Sequence, residues 1–159
     1  MAFVYGIAPT VATFLTSSAT PNTEAANIAI RQATRGVDIM SFYVIGKGAA
    51  LTAISGLGFR TRRWTTAGTG GTAITPAPRR LGTTASTTAA SSESTLTAGT
   101  VSGAYQLTFG CGAGGPGGWT APNPDCYIHL EGGSSDEIDL NSQSATASLN
   151  FDVSAEIAE

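Results

Sequence analysis

The sequence is poor in charged residues. Asp, Glu, Lys and Arg make up 12% of its 159 residues, about half of the roughly 25% that is typical of soluble domains. A free-standing monomer normally carries more charge, because charged side chains keep its surface solvated and its contacts non-adhesive. Hydrophobic residues nevertheless reach 42%, which excludes a disordered chain. We therefore expect a folded domain whose surface is largely covered by other protein chains.

Residues that carry chemistry are also scarce. There is one histidine, His129, and there are two cysteines, Cys111 and Cys126. Two cysteines do not make a disulfide scaffold, and without a Cys-x-x-Cys pair the three residues do not make a zinc motif. No Gly-x-Ser-x-Gly elbow accompanies the histidine. The sequence predicts no catalytic residue, no cofactor, no metal and no enzyme activity. A hydrolase whose triad is assembled from distant residues is the weakest alternative.

Two segments resemble binding motifs but lack the residues that define them. The glycine-rich run 110–118 is followed by Trp119 and Thr120, not by the Lys-Ser/Thr pair of a phosphate loop. Its prolines oppose the helix that a dinucleotide site requires. We interpret it as a flexible surface loop. The acidic run 132–139 lacks the spacing of a calcium loop and is interpreted as a solvated turn, with calcium binding as the minor alternative.

No segment indicates a membrane or a nucleic acid as partner. No apolar run approaches the roughly 20 residues that cross a bilayer, and the first basic residue is Arg31, so the start lacks the charged region of a signal peptide. The net charge of −3 gives no overall attraction to nucleic acid. All cations lie between Arg31 and Arg80, whereas most acids come later. This separation allows basic and acidic surfaces to pair between subunits.

The candidate interface residues are arginines and tryptophans. Seven of the eight cations are Arg, the residue that suits bidentate contacts with a neighbour's carboxylates, and tryptophan supplies large interface anchors. Three adjacent arginines are too few to supply the phosphate contacts of a nucleic-acid binder in an acidic protein. The predicted interface residues are Arg60, Arg62, Arg63, Trp64, Arg79, Arg80 and Trp119.

Strand patterns dominate the chain. Residues 37–45 are almost continuously apolar, which predicts a central strand covered on both faces. Residues 145–153 alternate between apolar and polar, which places five apolar side chains on one sheet face. Further strands are predicted at 51–64, 104–109 and 126–130, and glycine and proline turns separate them. Residues 23–35 fit a helix or a strand, and 83–94 fit a loop or at most a short turn of helix. These features predict an all-β domain, a β-sandwich or jelly-roll with Gly/Pro-rich loops, or a small barrel.

The order of these features resembles small virion proteins of tailed bacteriophages, of the kind encoded near the major capsid protein. The resemblance runs from about residue 22 to the end and rests on turns and packing positions. They are Asn22-Thr-Glu24, the apolar strand 37–45, Arg60-Thr-Arg62 with Gly70-Gly-Thr72, Gly117-Gly-Trp119-Thr-Ala-Pro122, Leu130-Glu-Gly-Gly133 and the final alternating strand.

The resemblance implies a decoration (cement) protein on the outer surface of the phage head, made in the host cytoplasm. Such proteins bind the major capsid protein, often as homotrimers at local three-fold positions, and hold neighbouring capsomers together. No catalytic residue is carried over. Residues 1–21 lie outside the resemblance and are expected to be an arm that reaches a neighbour, or an edge strand. Residues 22–159 are expected to form the sandwich domain.

Two other functions remain open from the sequence. One is another virion part of the same build, such as a tail, head-fibre or baseplate module. The other is a carbohydrate-binding β-sandwich that stacks Trp64, Trp119 and Tyr127 on sugars. Burial of both tryptophans would remove the carbohydrate interpretation.

Overall fold

A computed structural model describes residues 2–9, 15–16, 24–31, 34–46, 56–66, 71–92, 100–112, 115–133, 136–144 and 150–159. Within these ranges the chain is built of strands and one 3₁₀ turn, Pro124–Cys126. The strands are β1 (Val4–Ile7), β2 (Leu15–Thr16), β3 (Glu24–Arg31), β4 (Val37–Gly46), β5 (Gly56–Thr66), β6 (Thr72–Ile74), β7 (Ala77–Pro78), β8 (Ala89–Ser92), β9 (Thr100–Gly112), β10 (Pro116–Thr120), β11 (Ile128–Leu130), β12 (Glu137–Ser144) and β13 (Asn150–Ala158).

The strands form two antiparallel sheets. Sheet A has the order β10-β4-β13-β1-β7, with β11 also paired to β4 and β2 also paired to β13. Sheet B has the order β6-β8-β3-β12-β5-β9. This arrangement confirms the all-β, sandwich-like fold class that the strand patterns predicted. No helix in the described ranges has the length and apolar character needed to cross a membrane.

The core lies between the sheets and follows the strand alternation. In β13, Phe151, Val153 and Ile157 are buried, whereas Asn150 and Asp152 are exposed. The alternation predicted for this strand is therefore observed at 150–153, and residues 145–149 lie outside the described ranges. The rings of Phe59 in sheet B and Phe151 in sheet A meet edge to face at 5.0 Å, a favourable geometry for aromatic pairs. The two sheets thus share one hydrophobic core.

Four of the predicted segments differ from the structure. Residues 83–94, expected to be a loop or a short turn of helix, contain the strand β8 (Ala89–Ser92). The β4 strand is not covered on both faces, because Tyr43 and Ile45 are 43% and 44% exposed. The run 110–118 is not a flexible loop where it is described, since it contributes to β9 and β10. A Cβ atom at Gly117 would lie 2.2 Å from the Gly110 carbonyl oxygen, so glycine allows these strands to approach. The predicted acidic turn ends inside β12, where Asp139 is buried.

The edges of both sheets are short or irregular. β6 has three residues, β7 has two and ends at Pro78, and the 3₁₀ turn separates β10 from β11. The β9 edge is longer, but its register with β5 shifts repeatedly between Thr61 and Thr66. Short strands, proline and bulges are the devices by which natural sheets resist the addition of another strand. Strands β6, β7 and β10 show these devices, whereas β9 pairs regularly with β5 from Gly56 to Thr61.

The first strand belongs to sheet A. β1 lies between β13 and β7, and its Tyr5 and Ile7 side chains are buried in the core. The Phe3 amide donates to the Glu159 carbonyl at 2.8 Å, and the Glu159 amide donates to the Phe3 carbonyl at 3.0 Å. Further along the predicted arm 1–21, the structure describes the strand Leu15–Thr16, which pairs with β13.

Candidate functional site

The outer face of sheet A carries an exposed apolar patch. Among the described residues three large hydrophobic side chains are exposed: Tyr43, Ile45 and Leu81. Tyr43 and Ile45 lie two residues apart on β4 and therefore on the same face. The register places short side chains around them, and we call the whole set the docking face. Its residues are Tyr43, Ile45, Pro116, Gly118, Thr120, Asp152 and Ser154, of which Asp152 is exposed and charged.

The Tyr43 ring is held in place on this face. Gly118 of β10 and Ser154 of β13 are its cross-strand neighbours, so neither side crowds the ring. The Thr120 hydroxyl donates to the Tyr43 hydroxyl at 3.2 Å. A Cβ atom at Gly118 would lie 2.4 Å from the Phe42 carbonyl oxygen, so the glycine brings β10 close against β4. An aromatic side chain oriented before binding loses little conformational freedom on binding, which favours affinity.

Arg79 lies at the rim of the docking face. Its guanidinium passes over Gly6, where a Cβ atom would lie 3.2 Å from Cζ, and donates to Glu156 at 2.7 Å. Ser41 donates to the same carboxylate at 3.4 Å. A cavity of about 280 Å³ opens beside Arg79, lined by Gly6, Thr75, Arg79, Ser154 and their neighbours. Arg80, the next predicted interface residue, is exposed.

The outer face of sheet B is buried and charged. The register places Arg31 of β3 and Trp64 of β5 on either side of Glu137, and Arg62 of β5 beside Asp139. Glu137, Asp139 and Trp64 are 1%, 3% and 7% exposed. Arg31 forms an ion pair with Glu137 and donates to Ser91 at 2.7 Å. We call this set the ion cluster. Its residues are Arg31, Arg60, Arg62, Trp64, Glu137 and Asp139.

Burial dominates the electrostatics of the ion cluster. Loss of hydration, followed by the charge of Glu137 and a hydrogen bond to that side chain, raises the pKa of Asp139 to about 8. Arg31 and Trp64 act in the opposite direction and are outweighed. The ordinary pKa of an aspartic acid is 3.8, so this carboxyl holds its proton at neutral pH.

The other predicted interface residues are separated from these two faces. Arg63 is directed away from the ion cluster and donates to Asp136 at 3.1 Å and to the His129 carbonyl. It thereby links β5 of sheet B to β11 of sheet A. Trp119 is half-buried and packs against Phe42, with ring centroids 6.5 Å apart. The seven predicted residues thus lie at several places and do not form one surface.

The histidine has carboxylate neighbours. Its Nδ1 lies 2.7 Å from Asp38 Oδ1, and its Nε2 lies 3.8 Å from Glu131 Oε1.

Cys111 is buried and Cys126 exposed, and burial raises the pKa of the Cys111 thiol. In the described part of the chain no three side chains of His, Cys, Asp or Glu converge on a position suited to a metal ion.

One carboxylate ties the two sheets together. The Glu159 side chain accepts hydrogen bonds from the Ser86 hydroxyl at 2.7 Å and from the Thr88 amide at 2.7 Å. The Thr87 amide donates to it at 3.0 Å. Burial alone would raise the pKa of Glu159, but the bonds from Thr88, Ser86 and Thr87 outweigh it and lower the pKa. The end of β13 is thereby fastened to the segment that leads into β8.

Comparisons with known proteins give no family. No family model and no curated protein matches the chain. Among solved structures, 99% of the chain aligns with a mutant VP2 protein of infectious bursal disease virus from T=1 particles, at 13% identity and a TM-score of 0.25. T=1 particles derived from the infectious bursal virus give 14% identity, 99% coverage and 0.25. The chain spans 39% of either of those chains. At such TM-scores the similarity carries no argument about function.

Proposed function

We propose that this protein is a structural component of a tailed-phage virion, a decoration (cement) protein. In this role it binds the major capsid protein on the outer surface of the head through the docking face. The observation that carries the proposal is the exposed pair Tyr43 and Ile45 on the outer face of sheet A, where the cross-strand neighbours are Gly118, Ser154, Pro116 and Asp152. Aromatic side chains in such positions are the usual centres of protein interfaces.

The form of the sandwich supports binding through a face. Both edges of sheet A are poor sites for strand addition, because β7 has two residues and a 3₁₀ turn separates β10 from β11. Its low charge also suits broad contacts, because few charged groups lose their hydration when the surface is covered. The acceptor is a protein surface in this proposal, and neither nucleic acid nor a membrane is involved.

Many repeated weak contacts would together hold the protein stably on the shell. A patch with two exposed hydrophobic side chains is small compared with the roughly 800 Å² that each partner contributes to a standard interface. Association of copies into a trimer, as the resemblance implies, would raise the effective concentration of each contact on the lattice. A protein that binds the assembled shell and not its dissociated subunits stabilises the shell by mass action.

The alternatives are supported less well by the geometry. Carbohydrate binding required exposed tryptophans, but Trp64 is 7% exposed and Trp119 packs against Phe42. The hydrolase hypothesis required a serine beside His129, and the described contacts of the ring are with Asp38 and Glu131. A tail, head-fibre or baseplate module remains the second candidate, because the docking face would suit any flat protein partner.

The test is co-sedimentation of the purified protein with empty expanded heads of the phage that encodes it, together with its mass in solution. We expect saturation at a fixed ratio to the major capsid protein and a raised melting temperature of the shell. If the protein binds purified tails or baseplates but does not bind heads, the result would support the second candidate instead. The absence of binding to any virion part would contradict the proposal.

A further inference from the structure

Two carboxyl groups lie next to each other on the buried outer face of sheet B. Side chains alternate between the faces of β12, so Glu137 and Asp139 project to the same side. They are 1% and 3% exposed, and Arg31 makes an ion pair with Glu137. Two carboxylates that share a buried site repel each other, and burial disfavours their charged forms, so one of them retains a proton. A protonated carboxyl can donate a hydrogen bond to an ionised one.

The groups around this pair come from the two flanking strands. From β3, Arg31 forms an ion pair with Glu137, and Ala29 is the neighbour of Asp139. From β5, Trp64 lies beside Glu137, Arg62 beside Asp139 and Arg60 beside Asn141. Arg60 and Arg62 are half-buried and have contacts of their own.

We propose that Glu137 and Asp139 share one proton in the folded protein and form a pH-sensitive clasp on β12. When that proton passes to solvent in alkaline solution, two negative charges remain side by side on a strand face that excludes water. Repulsion between them, together with the cost of keeping both from water, then loosens the packing of β12 between β3 and β5. The clasp is independent of the docking face, which lies on the other sheet.

The direction of the effect follows from proton linkage. Burial and the neighbouring Glu137 raise the pKa of Asp139 from 3.8 to about 8. Between these values the folded protein holds a proton that the unfolded chain releases. The contribution to stability is therefore complete below 3.8 and is lost as the pH rises to about 8. Above that pH no further loss from this group is expected.

The experiment is thermal unfolding of the full chain between about pH 5 and about pH 9, with the variants Asp139→Asn and Glu137→Gln. We expect the melting temperature of the wild type to fall with rising pH. Asp139→Asn should remove that fall and melt above the wild type at the alkaline end. Glu137→Gln should flatten the profile too, since its amide can donate to Asp139 without a titrating proton. Glu159→Gln, whose carboxyl has its pKa shifted the other way, is the control and should leave the alkaline fall unchanged.

The outcomes separate a shared proton from a carboxyl that titrates alone. A wild-type profile that is flat or rises with pH would overturn the proposal. A Glu137→Gln profile as steep as that of the wild type would show that Asp139 titrates through its burial alone, and would overturn the sharing. If the variants do not fold, infrared spectroscopy of the wild type decides. Absorption of a protonated carboxyl should persist at neutral pH and disappear above about pH 8, and its absence at neutral pH would contradict the clasp.

Discussion

The two outer faces of the sandwich differ in composition and in exposure. The face of sheet A presents Tyr43 and Ile45 to solvent, whereas the face of sheet B buries Glu137 and Asp139. Both faces depart from the usual distribution in soluble proteins, in which apolar side chains are mostly buried and charged side chains mostly exposed. The comparison indicates a division of roles. Sheet A is suited to binding, and the outer face of sheet B contributes to the stability and specificity of the fold.

The difference has energetic consequences that can be separated by experiment. Substitutions on the docking face remove contacts that exist only with a partner, so they should change binding and leave unfolding nearly unaffected. Substitution of Arg31 in the ion cluster leaves the buried Glu137 carboxylate without its partner, so it should change unfolding strongly.

The largest effect is expected for Arg31→Ala. Arg31 forms the ion pair with Glu137, and its loss leaves a carboxylate in a site that is 1% exposed. Breaking one side of a buried pair typically costs about 3–5 kcal/mol of unfolding free energy. Urea denaturation measures the change. The control is Arg80→Ala at an exposed position, which should stay within about 0.5 kcal/mol of the wild type. Equal losses in both variants would contradict the assigned role of the ion cluster.

A smaller effect, on binding alone, is expected for Tyr43→Ala. Truncation of a central aromatic residue typically weakens an interface by about 2 kcal/mol or more, close to a thirtyfold change in affinity. The exposed ring contributes little to the core, so the unfolding free energy should change by less than about 0.5 kcal/mol. Sedimentation with heads at graded protein concentrations measures the affinity. An unchanged affinity would place the contact elsewhere on the molecule.

A loss of about 1 kcal/mol is expected for Glu159→Gln at neutral pH. The carboxylate accepts bonds from Ser86, Thr87 and Thr88, and these bonds lower its pKa. The stability that it supplies is present above its ordinary pKa of 4.5 and is lost as the pH falls through the lowered value. The free energy of unfolding, measured from neutral to acidic pH, should therefore decline less in the variant than in the wild type. An identical decline in both proteins would contradict the stabilising role of the Glu159 carboxylate.

The strand pattern of the sequence was informative about the fold. Alternation at Asn150, Phe151 and Val153 depends only on which face meets the core, so local residue order predicted it. The same reasoning failed for β4, where continuous apolarity suggested cover on both faces. One sign was available, because Ser41 is polar and Tyr43 and Ile45 follow it at intervals of two on the same face. The Ser41 side chain is itself buried, and its hydroxyl donates to Glu156 on that face.

The site residues were harder to predict, because their roles depend on pairing between distant strands. Trp64 and Asp139 become neighbours of Glu137 only through the register of β5 with β12 and the alternation within β12. The same acidic residues could lie in a solvated turn or form a buried carboxyl pair, and their sequence alone does not distinguish the two. The arginines were predicted to meet the carboxylates of a neighbouring chain, which stays a prediction. Arg31, which makes the buried ion pair within this chain, was not among the candidates.

The most direct test of the central claim is binding to empty expanded heads by two matched variants, Ile45→Ser and Leu81→Ser. Both replace an exposed aliphatic side chain by the same small polar one, and Leu81 is 99% exposed but lies outside the docking face. The account predicts that Ile45→Ser binds heads more weakly than the wild type, while Leu81→Ser binds as the wild type does. Equal binding by both variants, or a loss confined to Leu81→Ser, would contradict the assignment of the docking face.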